Sequence, residues 1–199
     1  MKIGVLALQG DFDKHRKALA RVRRDGETVE SVEVRKTAEL DGLDGLVIPG
    51  GESTTLLKLM DAFEFWPALE KFHAEGKPIF GTCAGAILVA RDVVNPQQRS
   101  LGFIDIDVER NAYGRQRESF EAWGEADLGR RREIEMVFIR APRIRRVGDE
   151  VAVLARHKDE PVMVRQGPVL VATFHPELTD DASVHEYFCE MAQDRRRRS

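Results

Sequence analysis

The stretch GKPIFGTCAGAILVA, residues 76–90, ends an apolar run at a glycine, follows it with a lone cysteine, and then gives a second glycine and helix-forming residues. Gly81-Thr82-Cys83-Ala84-Gly85 has the form of a nucleophile elbow, with Cys83 where many hydrolases carry serine. Glycines on both sides permit a strained strand-to-helix turn, and such a turn presents the sulfur. The start of the following helix sets a positive dipole end beside it, which favours thiolate. The backbone N–H of Ala84 is then available to an oxyanion. The plainer alternative is a small apolar cysteine packed in a core.

A cysteine nucleophile usually needs a base. The chain has five histidines, and four of them (His15, His73, His157 and His185) fall in expected helices or polar loops. His175 differs, because it ends the apolar run 169–174 and opens His175-Pro176-Glu177. Proline fixes the turn, and Glu177, two residues on, is placed to orient the imidazole. A third element is LVIPGGESTTL, residues 46–56. Gly50-Gly51 after a short apolar strand lets backbone N–H groups face a ligand, and a helix start follows. No Gly-Lys-Ser/Thr follows, so this is no Walker A loop; an oxyanion and substrate-binding loop fits better.

These pieces need a scaffold that brings strand ends together. Residues 3–8, 29–34, 46–48 and 78–80 read as strands, and 11–24, 53–60, 66–75 and 84–90 as helices. Glu52, Ser53 and Thr54 suit the cap of the second helix. Strands alternating with helices imply right-handed crossovers and an open, mostly parallel twisted sheet with helices on both faces. The later half reads as strands (101–109, 133–139, 151–156, 162–166 and 169–174), which suggests antiparallel additions, and 180–193 reads as a closing helix. The expected fold is therefore a three-layer, flavodoxin-like α/β domain over residues 1–199, with 194–199 a frayed basic tail. In such sheets ligands gather at the carboxyl ends of the strands, where Gly50, Cys83 and His175 all fall.

Composition narrows the function classes. The 199 residues carry a formal net charge of -3, which gives no global basic field for nucleic acid. No apolar run approaches the roughly 20 residues that span a bilayer, and the first residues read as a buried strand rather than a signal peptide. Two cysteines, Cys83 and Cys189, with no Cys-x-x-Cys or metal-like cluster, point to a reducing cytoplasm and no metal.

Pro49-Gly50-Gly51-Glu52-Ser53-Thr54-Thr55, Gly81-Thr82-Cys83-Ala84-Gly85 and Phe174-His175-Pro176-Glu177 together resemble the class I (triad) glutamine amidotransferases. Adding LALQGDF, VERNAYGRQRESFEA, FIRAP and FHPELTDD, the chain is similar, from about residue 3 to 181, to the glutaminase subunits of two-part pyridoxal 5′-phosphate synthases. The resemblance implies a catalytic triad of Cys83, His175 and Glu177. It implies an L-glutamine pocket of Gly50, Gly51, Glu52, Arg110, Ile139 and Arg140, and an oxyanion hole from Gly51 and Ala84. A free amino acid carries a carboxylate and an ammonium, so Arg110 or Arg140 as cation and Glu52 as anion make chemical sense. The implied partner is a separate synthase subunit that consumes the ammonia, with no cofactor held on this chain. Two rivals stand beside it: a DJ-1/PfpI-type cysteine hydrolase, which needs neither His-Pro-Glu nor the GGESTT loop, and a catalytically silent binding subunit.

Overall fold

A computed structural model describes residues 1–23, 28–110 and 119–198. Strand β1 (Lys2–Leu6) leads to α1 (Phe12–Arg21), β2 (Glu30–Val34), a 3₁₀ turn (Thr37–Leu40), β3 (Gly45–Ile48), α2 (Ser53–Ala62) and α3 (Phe65–Ala74). Then come β4 (Ile79–Thr82), α4 (Ala84–Val89), β5 (Ala90–Val94), β6 (Ile104–Glu109), β7 (Ser119–Asp127), β8 (Arg131–Ile139) and β9 (Arg143–Val147). The chain closes with β10 (Ala152–His157), β11 (Glu160–Gln166), β12 (Val169–Ala172), a 3₁₀ turn (Pro176–Leu178) and α5 (Ser183–Arg198).

Nine strands form one sheet in the order β2-β1-β3-β4-β12-β11-β10-β7-β8, and β5-β6-β9 form a second, smaller one. From β2 to β12 every pairing is parallel; from β12 to β8 every pairing is antiparallel. The α/β architecture with antiparallel additions is the expected one. Period-two alternation splits the central strands between two cores. Leu46, Ile48, Ile79, Val169 and Val171 join residues of α2, α3 and α4 on one face. Val47, Phe80, Leu170 and Ala172 join residues of α1 and α5 on the other. Central parallel strands are covered on both faces, which is why they read as continuous apolar runs.

Three strands were not legible. β5 continues straight from α4, with no turn residue to announce it. β7 alternates, but Glu121, Trp123 and Glu125 hold one face and Gly124 interrupts the other. β9, sequence RIRRV, carries three arginines, which pair with acids: Arg146 with Asp105 and Asp107, Arg145 with Glu109, and Arg143 with Glu160. At the C-terminus the helix runs on to Arg198 rather than fraying after Gln193. Arg195 donates to the Glu75 carbonyl at 3.1 Å, and Arg196 lies 3.6 Å from Asp44. Cations in a last helical turn also complement the dipole. The first helix ends at Arg21; Arg24 and Gly26, expected at its end, lie outside the described residues.

The packing of α4 on the sheet depends on Gly85, where an added Cβ would lie 2.1 Å from the Ile48 carbonyl oxygen. That oxygen belongs to a central strand and cannot move aside. Gly85→Ala should therefore lower the unfolding free energy by about 1–3 kcal/mol or more, the usual cost of overpacking. Urea denaturation of the two proteins checks this, and an unchanged midpoint would contradict the packing described here.

Candidate active site

Four segments leave the carboxyl ends of β1, β3, β4 and β12 and meet around a cleft of about 360 Å³. The elbow comes first. Cys83 has φ 47 and ψ −102, a strained conformation for a residue with a Cβ. The surroundings hold it there. Its N–H donates to the Ala172 carbonyl at 3.0 Å, and its own carbonyl accepts from Ile87 N–H at 3.1 Å. A Cβ at Gly81 would lie 2.6 Å from the Gly85 carbonyl oxygen, so both flanking glycines are sterically required.

His175 follows β12, and its N–H donates to the Val137 carbonyl at 2.8 Å. Its Nδ1 lies 2.7 Å from Glu177 Oε1, and both side chains are buried. Pro176 starts the 3₁₀ turn that folds Glu177 back under the ring. With Nδ1 engaged, Nε2 is the nitrogen left for the sulfur of Cys83, which lines the same cleft. Gly50 lies against this pair: a Cβ there would sit 2.4 Å from His175 Cε1 and 3.1 Å from Cys83 Cβ. Its N–H donates to Thr82 Oγ1 at 3.0 Å. Gly51 has φ +145, and a Cβ there would strike Gln9 Oε1 at 2.2 Å. Gln9 Oε1 in turn accepts from Glu52 N–H at 3.0 Å.

Charge is arranged at the far end of the cleft. Glu52 is the N-cap of α2 and accepts from Thr54 N–H at 2.9 Å, Thr55 N–H at 2.7 Å and Thr55 Oγ1 at 2.9 Å. Desolvation works against its ionisation, but these donors prevail and bring its pKa to about 2. Arg110 donates to Thr54 Oγ1 at 3.2 Å and lies 3.7 Å from Glu52 Oε1. The cleft thus offers one cation and one anion side by side. Ile139 ends β8 with its carbonyl 4.0 Å from Cys83 Sγ, and Arg140 follows with φ 43.

Of the residues singled out in the sequence, Cys83, His175, Gly50, Gly51, Glu52, Arg110, Ile139 and Arg140 all line this cleft. Glu177 stands behind His175. Ala84 is buried beneath the elbow, where the first N–H groups of α4 have no partner within the helix. Sequence reading assigned no role to Gln9, Gly10, Asp11, Thr82 or Ile87. Gln9 carried a signal in retrospect, as a polar residue just past the carboxyl end of an apolar strand. The GRQ stretch after Arg110 lies outside the described residues. Among those described, no group of three or more His, Cys, Asp and Glu is placed to hold a metal ion.

The electrostatics of the pair follow from burial and partners. Burial alone would lower the His175 pKa. Hydrogen bonds to Cys83 and Glu177, and the negative charge beside the ring, outweigh it and raise the pKa to about 10. Burial likewise pushes Glu177 up, but His15 and His175 beside it win and hold its carboxyl well below the usual carboxylate range. The resting pair is a carboxylate and an imidazolium, a buried acid poised to give up a proton.

Comparison with known proteins places this geometry among relatives. A model of the SNO glutamine amidotransferase family matches residues 5–194. A pyridoxal 5′-phosphate synthase subunit PdxT from Koribacter versatilis is 56% identical over 98% of this chain and 97% of its own length. The protein of the same description from Thermosipho africanus is 51% identical over 97% of this chain and 100% of its own. A crystal structure described as a glutamine amidotransferase superposes with a TM-score of 0.87 at 50% identity, covering 96% of this chain and 98% of that one. PurLQS from Thermotoga maritima, at 15% identity and a TM-score of 0.71, shares the fold.

The raised His175 pKa has a signed consequence for stability. A pKa of about 10 against an ordinary 6.5 means that the protonated ring stabilises the fold below pH 6.5. That contribution is lost as pH rises from 6.5 through 10. The stability of the protein relative to its His175→Gln variant should therefore be greatest near pH 6 and shrink steadily toward pH 10. Thermal denaturation across that window tests it; a gap that stays constant would mean that the ring is not held protonated.

Proposed function

The chain belongs to the SNO glutamine amidotransferase family, and on that premise we propose that it hydrolyses L-glutamine to L-glutamate and ammonia as the glutaminase subunit of a pyridoxal 5′-phosphate synthase. The observation that carries this reading is the cleft itself. It has a sulfur and a buried imidazole–carboxylate pair at one end, and an Arg110–Glu52 pair suited to an α-amino acid at the other.

Glutamine enters with its α-carboxylate toward Arg110 and its α-ammonium toward Glu52. This sets the side-chain amide over Cys83. The sulfur attacks the amide carbon as the thiolate facing the His175 imidazolium and forms a tetrahedral oxyanion. Gly51 and Ala84 N–H groups receive that oxyanion; Gly50 N–H is already committed to Thr82. Removing one such donor typically costs about 3 kcal/mol. His175 gives its proton to the departing nitrogen, and ammonia leaves with the C–N bond broken and a γ-glutamyl thioester on Cys83. A water, deprotonated by His175, then releases glutamate, and the sulfur leaves as the thiolate beside the re-formed imidazolium. Glu177 keeps Nδ1 engaged throughout, so Nε2 always faces the sulfur.

The chain acts as one domain over residues 1–199. A separate synthase subunit receives the ammonia, a reading supported by relatives described as pyridoxal 5′-phosphate synthase subunits. We place the protein in the cytoplasm: both cysteines are free thiols, and no helix among the described residues is long and apolar enough to cross a membrane.

Two predictions test this reading. Cys83→Ser should abolish glutamate release without loss of fold, whereas Cys189→Ser, buried in α5 away from the cleft, should keep most activity. In the same assay His175→Asn should cost about 10²–10⁴-fold, and more than Glu177→Gln, because proton transfer is a larger effect than orientation. Near-normal activity in Cys83→Ser would overturn the assignment.

A further prediction concerns activation. Ammonia made without an acceptor is wasted, and the Gly50–Gly51 peptide can reorient at low steric cost. Titrating synthase against a fixed amount of this chain should raise glutamate release at least tenfold, a bias of about 1.4 kcal/mol between two loop states. Gly51→Val, which meets Gln9 and an unfavourable φ, should remove that response. A flat titration with full activity in the isolated chain would exclude the gate and leave the triad intact.

A further inference from the structure

His15 is fully buried on α1 and has no part in the reaction steps above, yet its ring nitrogens reach three functional elements. Nε2 lies 3.1 Å from Thr82 Oγ1 and 3.4 Å from Glu177 Oε2. Nδ1 lies 3.0 Å from Nε2 of the equally buried His185 on α5. Thr82 Oγ1 is the atom that accepts Gly50 N–H, and Glu177 is the carboxylate that holds His175. Glu177 Oε2 has no other hydrogen-bond partner among the described residues, and His15 Nε2 stands 3.4 Å from it.

Proton placement on the two rings is constrained. In the His15–His185 contact one nitrogen donates and the other accepts. His185 Nδ1 is buried with no partner among the described residues. A bare nitrogen there costs less than a buried, unmatched N–H. Full burial keeps His185 uncharged, with a pKa near 3. Its single proton therefore sits on Nε2 and is donated to His15 Nδ1. That leaves His15 with its proton on Nε2, facing Thr82 and the Glu177 carboxylate. The opposite arrangement would aim a lone pair at a carboxylate 3.4 Å away and strand an N–H on His185.

We propose that His15 is a positioning residue of the glutaminase site: its Nε2–H bridges Thr82, which holds the Gly50 loop, and Glu177, which holds His175, so that one buried imidazole on α1 sets oxyanion loop and base in register. The proposal rests on the glutaminase reading above. His185 acts one step further out, by fixing which nitrogen of His15 carries the proton. The bridge joins groups 67 and 162 residues apart in the chain, counting from His15 to Thr82 and to Glu177.

A packing role and a positioning role separate in one set of variants, assayed as the complex with synthase. Leucine and glutamine both approximate the imidazole's volume, but only glutamine can carry an N–H to the place of Nε2. His15→Leu should lower kcat by about tenfold to a hundredfold, the size of effect that sub-ångström misplacement produces, with KM changed less than about threefold because Arg110 and Glu52 are untouched. His15→Gln should recover most of kcat. Thr82→Val, isosteric within a strand, should reproduce the His15→Leu loss. The double variant should be no worse than the poorer single, since both cut the same bridge. If His15→Leu and His15→Gln have equal kcat, or if the two losses multiply, the bridge does no positioning and the proposal fails. Should His15→Leu not fold, Gln and Thr82→Val still decide it. Failure of the underlying reading would look different: wild-type complex would release no glutamate at all.

Discussion

The structure turns on the backbone of one residue. Cys83 occupies a φ/ψ region that costs about 1–3 kcal/mol for a residue with a Cβ. It can stay there only because its neighbours over-determine it. Its N–H completes the β4–β12 ladder, its carbonyl starts α4, and glycines on either side let strand, helix and β3 approach within backbone contact. Relaxing the elbow would break a ladder bond and a helix bond together. The same constraint fixes who the sulfur's neighbours are. β12 pairs with β4 in register, Ala172 opposite Thr82, so the chain leaving β12 must pass beside Cys83, and His175 is the third residue along it.

Charge follows from this placement. An imidazole and a carboxylate buried together would each be expensive alone, and either would then lose its charge rather than pay for desolvation. At 2.7 Å they satisfy each other. Glu52 shows the complementary case on the open side of the cleft. Backbone N–H groups at the start of α2 keep it ionised, so it can serve as a helix cap and still present negative charge to a ligand. Sequence reading saw Glu52 both as a cap and as an anion for substrate, and the geometry accommodates both at once.

How much was legible depends on whether the signal was local. Gly81-Thr82-Cys83-Ala84-Gly85 and His175-Pro176-Glu177 each encode a turn and its chemistry within five residues, so the central parallel strands and the residues at their ends could be read directly. Thr82 was quoted within that motif yet given no role, because its hydroxyl matters only through Gly50 and His15, which come from other strands and helices. His15 looked like one more polar residue in an amphipathic helix; nothing within α1 announces that its face meets α5 and β4. Strand β9 hid for a related reason. Its arginines are matched by acids of β6 and β11, partners that a single stretch of sequence does not display.

The antiparallel half of the sheet also has a task that its pattern did not suggest. In strand order β8 lies at the far edge, four places from β12. Yet the Val137 carbonyl on β8 accepts the His175 N–H, and Phe138 packs against Phe174 with ring centroids 5.8 Å apart. The sheet must therefore curl, bringing its edge strand back over the carboxyl end of a central one. Two things follow from that curvature. A carbonyl of β8 that would otherwise be free is capped by His175, which blunts the edge against pairing with another chain. The residues that end β8, Ile139 and Arg140, are delivered to the wall of the cleft opposite Gly50 and Gly51. A parallel sheet alone would supply the nucleophile, the base and the glycine loop, but it would leave the cleft open on one side. The strands added after β6 are what close it.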